Sequence, residues 1–150
     1  MDLKKRLIRL AESARQASRF LAELPSQTKR KVLEEVAQSF SRSSKKLLKA
    51  NAKDLKLAEK MKLSSAMVDR LTLNIQRINQ MAKAVLDVAK LEEPIGKTLK
   101  SWKRPNGLRI SKVTVPLGVI LIIYESRPNV TSECASLCLK SGNAVLLRGG

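Results

Sequence analysis

The stretch that decides the fold is Pro116-Leu117-Gly118-Val119-Ile120-Leu121-Ile122-Ile123-Tyr124-Glu125-Ser126-Arg127-Pro128-Asn129. Val119 to Tyr124 is apolar, rich in β-branched residues and without alternation, the pattern of a central strand covered on both faces. Pro128 fits the first position of a helix, because its fixed φ suits the helix and its missing N–H is no loss there. That helix carries Val130, Cys134, Leu137 and Cys138, and Gly142 closes it as a C-terminal cap. Ala144-Val145-Leu146-Leu147 then reads as a second buried strand. Strand, crossover helix and strand of this length make a parallel unit of right-handed connection.

Working backwards, Pro105-Asn106-Gly107 is a turn signal between two short segments, Thr98 to Lys103 and Leu108 to Val115, which can pair as a hairpin. The second arm alternates apolar and polar residues, with an irregularity expected near Ser111. Such an arm either covers a neighbouring subunit or second domain, or is an ordinary surface hairpin.

Residues 1–93 are helical by period. Leu3, Leu7, Leu10, Ala14, Ala17 and Leu21 form one stripe. Pro25-Ser26 ends that helix, and Ser26 or Thr28 can cap the next, with Val32, Leu33, Val36, Ala37 and Phe40 inward. Ser41-Arg42-Ser43-Ser44 is expected to break or kink the chain before a third helix facing inward with Leu47, Leu48, Ala52, Leu55 and Ala58. Ser64-Ser65 caps a short turn, and Asn74 caps a helix with Ile75, Ile78, Met81, Ala82, Val85 and Ala89 inward. Taken alone, this part reads as a helical bundle.

With 150 residues and 43% hydrophobic content the chain can bury one core of moderate size. Its longest apolar run, Val119 to Tyr124, is far short of the roughly 20 residues needed to span a bilayer. The opening Met1-Asp2-Leu3-Lys4-Lys5-Arg6 lacks a secretory apolar core, so a cytoplasmic location is the expectation. A net charge of +17 invites a nucleic-acid reading. Against it, residues 1–100 hold 23 basic and 11 acidic side chains and residues 101–150 hold 7 and 2, so the excess is not clustered. Aromatics make up 3% of the chain, which leaves no base-stacking platform. Histidine is absent, and with it the commonest general base and metal ligand. Cys134 and Cys138 are two thiols without further ligands, so no metal site is expected and both read as small buried residues.

Ligands of open α/β sheets bind beyond the carboxyl ends of the strands. Two loops qualify, Glu125 to Asn129 and Arg148-Gly149-Gly150. The second pairs a fixed cation with two residues that let backbone approach a ribose or phosphate. There is no Gly-x-Gly-x-x-Gly fingerprint, and a plain turn is the competing reading.

The words Val115-Pro116-Leu117-Gly118-Val119, Tyr124-Glu125-Ser126-Arg127-Pro128-Asn129-Val130-Thr131 and Cys138-Leu139-Lys140-Ser141-Gly142-Asn143-Ala144-Val145-Leu146-Leu147-Arg148-Gly149-Gly150 closely resemble the gamma-glutamyl phosphate reductase family, also called glutamate-5-semialdehyde dehydrogenases. Upstream, Ala50-Asn51-Ala52-Lys53-Asp54, Leu63 to Leu71 and Arg104-Pro105-Asn106-Gly107-Leu108 resemble it in the same order.

The resemblance implies an α/β fold of the aldehyde dehydrogenase superfamily. Residues 1–93 would be the helical N-terminal part of a Rossmann-like cofactor domain, 94–115 a hairpin arm that joins a homo-oligomer, and 116–150 the start of an NADP-binding βαβ unit. It implies NADPH-dependent reduction of gamma-glutamyl phosphate to glutamate-5-semialdehyde and phosphate in proline biosynthesis, with glutamate 5-kinase as a candidate partner. The catalytic cysteine and its domain would lie downstream of these residues, so the segment alone is expected to be inactive. Asn129 corresponds to an asparagine that supports the oxyanion formed on thiolate attack, although it also suits a helix cap. Arg148 corresponds to a residue that meets the adenosine ribose, where a guanidinium also reaches a 2′-phosphate. Gly149, Glu125, Ser126, Arg127 and Pro128 would line the same cofactor cleft, Arg127 serving either there or as an ion-pair partner. The alternative is a basic helical interaction or nucleic-acid-binding protein that keeps a non-catalytic nucleotide-binding remnant.

Overall fold

The computed structural model describes residues 2–125 and 127–149. Helices α1 (Leu3–Glu23), α2 (Ser26–Lys60), α3 (Ser65–Leu71) and α4 (Ile75–Lys90) come first. The hairpin strands β1 (Thr98–Lys103) and β2 (Arg109–Val113) follow, then β3 (Val119–Ile123), α5 (Pro128–Lys140) and β4 (Ala144–Arg148).

Local chemistry sets most of these boundaries. Ser64 Oγ accepts from the Met67 N–H and Asn74 Oδ1 from the Arg77 N–H, so both expected caps form. Neither Ser26 nor Thr28 caps α2. Pro25 is its N-cap, and the Pro25 carbonyl accepts from the N–H groups of Thr28 and Lys29. The break expected at Ser41 to Ser44 is also corrected, since α2 runs unbroken for 35 residues. Serine costs a helix only a few tenths of a kcal/mol. Neither Gly nor Pro interrupts residues 26–60, and Arg42, within the serine run, pairs with Glu35 two turns earlier.

The core forms where α2 crosses α4. Leu33, Ala37, Val85 and Ala89 interlock there, with Phe40, Leu86, Val88 and Leu139 packed around them. Helix α5 joins this layer through Leu139, so three helices bury one another. Val32 and Val36, expected inward, are exposed because the buried stripe of α2 is narrower than the apolar one. Buried polar groups tie the layer together. Lys29 Nζ donates to Glu93 Oε1 at 2.8 Å and to the Lys140 carbonyl, and Lys140 Nζ donates to the Ala89 carbonyl. Asn51 bridges the α3–α4 corner, donating to the Leu71 carbonyl and accepting from the Leu73 N–H.

Helix α1 stands apart from the expected bundle and packs on β3 and β4 instead. Ala14 is buried there, while Leu3, Leu7 and Leu10 of the same stripe are exposed.

The hairpin pairs antiparallel from Thr98↔Val113 to Lys103↔Arg109 around the turn at Arg104 to Gly107. Its irregularity lies between Thr98 and Lys100 on β1, whereas Ser111 pairs regularly with Ser101, so the bulge expected near Ser111 is moved to the other strand. Thr114 clamps the base, its hydroxyl donating to the Pro94 carbonyl and accepting from the Lys97 N–H.

Strands β3 and β4 are parallel, in register from Val119↔Ala144 to Ile123↔Arg148. Gly142, at φ +68°, ends α5 with the bonding of a Schellman motif: its N–H donates to the Leu139 carbonyl and that of Asn143 to Cys138. Asn143 then splices the two strand entries, accepting from the Gly118 N–H and donating to Ser141. Full coverage of β3 is not found. Val119, Leu121 and Ile123 are exposed while Ile120 and Ile122 are half-buried, because helices lie against only part of this two-stranded sheet.

Candidate functional site

The carboxyl ends of β3 and β4 lie side by side, which brings both candidate loops together. The Tyr124 N–H donates to the Arg148 carbonyl at 3.0 Å, so Glu125 leaves the sheet beside Arg148. Arg148 is exposed and makes no ion pair among the described residues. Gly149 backs onto the Tyr124 ring. A Cβ added there would meet the ring at 3.5 Å, an ordinary contact, so packing does not demand glycine at that position. The Tyr124 hydroxyl and Thr131 Oγ1 are 2.5 Å apart and pin the strand end to the first turns of α5. An unpaired guanidinium beside open backbone suits the phosphate and ribose of a dinucleotide. Ser126 lies outside the described residues, as does Gly150.

Arg127, Pro128 and Asn129 open α5, with Arg127 as N-cap and Pro128 in the first turn. Asn129 is not the cap. It sits one residue past Pro128, and its side-chain amide donates to Glu133 Oε1 at 3.1 Å. Its exposed position leaves the second amide hydrogen toward solvent and any ligand.

These residues form one wall of a cleft of about 350 Å³ whose other wall is the corner between α3 and α4, including Arg70, Thr72 and Arg77. Arg77 builds that corner. Its guanidinium donates to the Thr72 carbonyl at 2.7 Å, to the Asp69 carbonyl and to Asp69 Oδ1 at 2.9 Å. The sequence reading missed Arg70 and Arg77. Arg70 lies within the Leu63 to Leu71 word, but it is 57 residues before Arg127, and no periodicity says which helix ends meet. Conversely, Arg148 and Gly149 are not part of this cleft.

Cys134 is partly buried, and Cys138 is not poised for attack. Cys138 is buried, and that burial, followed by the neighbouring Cys134, pushes its pKa up. A raised thiol pKa disfavours the nucleophilic thiolate. Among the described residues no cluster of His, Cys, Asp or Glu could hold a metal ion, and no helix is long and apolar enough to cross a membrane.

No protein-family model matches the chain. It is 52% identical over 149 residues to the gamma-glutamyl phosphate reductase of Paramagnetospirillum magneticum, a match that covers 99% of this chain and 35% of that protein. The crystal structure of the gamma-glutamyl phosphate reductase of Thermotoga maritima superposes with a TM-score of 0.92 at 44% identity, over 96% of this chain and 35% of that one. A probable aldehyde dehydrogenase of Listeria monocytogenes shares the fold, with a TM-score of 0.65 at 19% identity, over 97% of this chain and 29% of that one. The chain spans about a third of the length of the curated relatives it matches. In sequence and in fold it is homologous, along nearly its whole length, to the N-terminal part of the gamma-glutamyl phosphate reductases.

Proposed function

We propose that this chain forms the cofactor-receiving part of an NADPH-dependent reductase that converts gamma-glutamyl phosphate to glutamate-5-semialdehyde and phosphate, a step of proline biosynthesis in the cytoplasm. The observation that carries this reading is the meeting of Arg148, Gly149 and the loop from Glu125 at the carboxyl ends of two parallel strands. That is where open α/β sheets take their ligands.

In this reading the Arg148 guanidinium makes charge-assisted hydrogen bonds to the adenosine 2′-phosphate, and the Gly149 backbone closes on the ribose. Glu125 leaves the same strand end beside Arg148, and Arg127 and Pro128 line the neighbouring cleft that also holds Asn129. The Asn129 amide donates to the oxyanion that forms when a thiolate attacks the acyl phosphate. Bound NADPH supplies the hydride. In this reading neither Cys134 nor Cys138 is the attacking thiol, Cys138 being buried with its pKa pushed up. Residues 1–93 and 116–150 belong to one cofactor domain. The arm at 94–115 joins a homo-oligomer, and glutamate 5-kinase delivers the labile acyl phosphate.

Titration of the chain with NADPH, followed by calorimetry, tests this. Saturable binding is expected, with Arg148→Ala weakening it about tenfold or more. Absence of binding, or an Arg148→Ala variant that binds as the parent does, overturns the cofactor assignment. A substrate-derived thioester on Cys134 or Cys138 would overturn the assignment of the thiols.

A further inference from the structure

The cleft between the α3–α4 corner and the start of α5 has cationic charge left over. Arg77 is committed to Asp69 and to two backbone carbonyls, and Glu133 to the Asn129 amide. Arg70 and Arg127 have no ion pair among the described residues. They line the cleft from different sides, Arg70 near the end of α3 and Arg127 just before α5. At about 350 Å³ the space suits a small molecule. Two uncommitted guanidiniums on two walls suit a ligand with two anionic ends, because each planar fork pairs with one carboxylate or phosphate.

Resting on the reading above, in which Asn129 meets the reacting acyl carbon, Arg127 stands at the acyl-phosphate end and leaves the far wall for the remaining anion. We infer that Arg70 is a specificity-determining residue that binds the α-carboxylate of the amino-acid substrate. Arg77 is its positioning residue, since its bonds to Asp69 and Thr72 fix the end of α3 against the start of α4.

The test is residue-resolved NMR titration of the whole chain with three probes taken separately: L-glutamate, inorganic phosphate and NADPH. L-Glutamate is expected to shift amides of residues 69–81 and 127–133. Arg70→Gln should weaken L-glutamate about tenfold or more while leaving phosphate and NADPH unchanged. Arg70→Lys keeps the charge but loses the fork, so it should fall between Arg70→Gln and the parent. Arg104→Gln, an equal loss of charge at the hairpin turn, should change nothing. The inference fails if L-glutamate leaves the cleft amides unmoved, if Arg70→Gln binds it normally, or if Arg104→Gln weakens it as much. NADPH binding without Arg70-dependent glutamate binding sinks this inference alone. Arg70-dependent glutamate binding without NADPH binding supports it and sinks the cofactor reading.

Discussion

Leu33 and Val85, where α2 meets α4, are 1% and 0% exposed, whereas Leu121 and Ile123 on β3 are 62% and 74% exposed. All four are aliphatic residues on regular elements. The difference is in their neighbours: α2, α4 and α5 cover one another, while Val119, Leu121 and Ile123 of β3 and the leucines in the first half of α1 stay exposed among the described residues. Apolar area stabilises only when it leaves water, at roughly 25 cal/mol per Å². Stability should therefore concentrate in the helical layer, and ligand-facing and surface-forming roles in the sheet end.

The largest effect that could break this contrast is at Leu33. Truncation to Ala should cost about 2–5 kcal/mol in urea unfolding, since the cavity cannot collapse between interlocked helices. A loss no larger than that of a surface substitution would mean that the α2–α4 contact is not the core. Next comes the Lys29–Glu93 pair, whose side chains are 3% and 26% exposed. Burial works to raise the Glu93 carboxyl, but the hydrogen bond and charge of Lys29, with help from Ser26 and the Ile95 N–H, outweigh it, so its pKa lies below the ordinary 4.5. Lys29→Met should cost about 1–3 kcal/mol at neutral pH, because Glu93 Oε2 already lacks a partner and Oε1 would lose its strongest. A depressed carboxylate pKa gives stability that is complete above 4.5 and is lost as pH falls through the folded value. Unfolding curves of parent and variant should therefore converge as pH drops below that point, and a gap independent of pH would show that the pair acts only through packing.

What the sequence made legible divides along the same line. Caps at Ser64 and Asn74, the Pro128 start and the Gly142 stop could be read because each rests on one residue's own chemistry. The serines at 41, 43 and 44 misled because their weak preference against helix is overridden by a face that keeps packing. An apolar run such as Val119 to Tyr124 announces a strand but not which of its faces is covered. The candidate site split likewise: Arg148, Gly149 and Asn129 lay in recognisable words, while Arg70 and Arg77 reach the cleft with Arg127 only because helix ends distant in sequence come together.

Gly142 sits at the seam between the two regions, where α5 hands over to β4. Its φ of +68° is unfavourable for any residue with a Cβ, and an added Cβ would stand 3.1 Å from Pro116 Cγ and 3.4 Å from the α1 backbone at Ala22. Gly142→Ala should cost about 1–2 kcal/mol from the left-handed conformation alone, with the contacts adding to it. Thermal unfolding would measure this, and an unchanged midpoint would mean that the cap can relax without disturbing the sheet.

The smallest effect is the one that sharpens the contrast most. Ile123 is as apolar as Val85, and by composition alone it ought to matter as much. Three-quarters of it already faces solvent, so Ile123→Ser removes little buried area and should shift unfolding free energy by less than about 0.5 kcal/mol. The same change takes an aliphatic side chain out of an exposed row with Val119 and Leu121, the kind of surface that drives association. Binding of a hydrophobic dye and light scattering at raised concentration should therefore both fall, with stability hardly moved. A large loss of stability would instead place Ile123 in a core, and the sheet end would then be as closed as the helical layer.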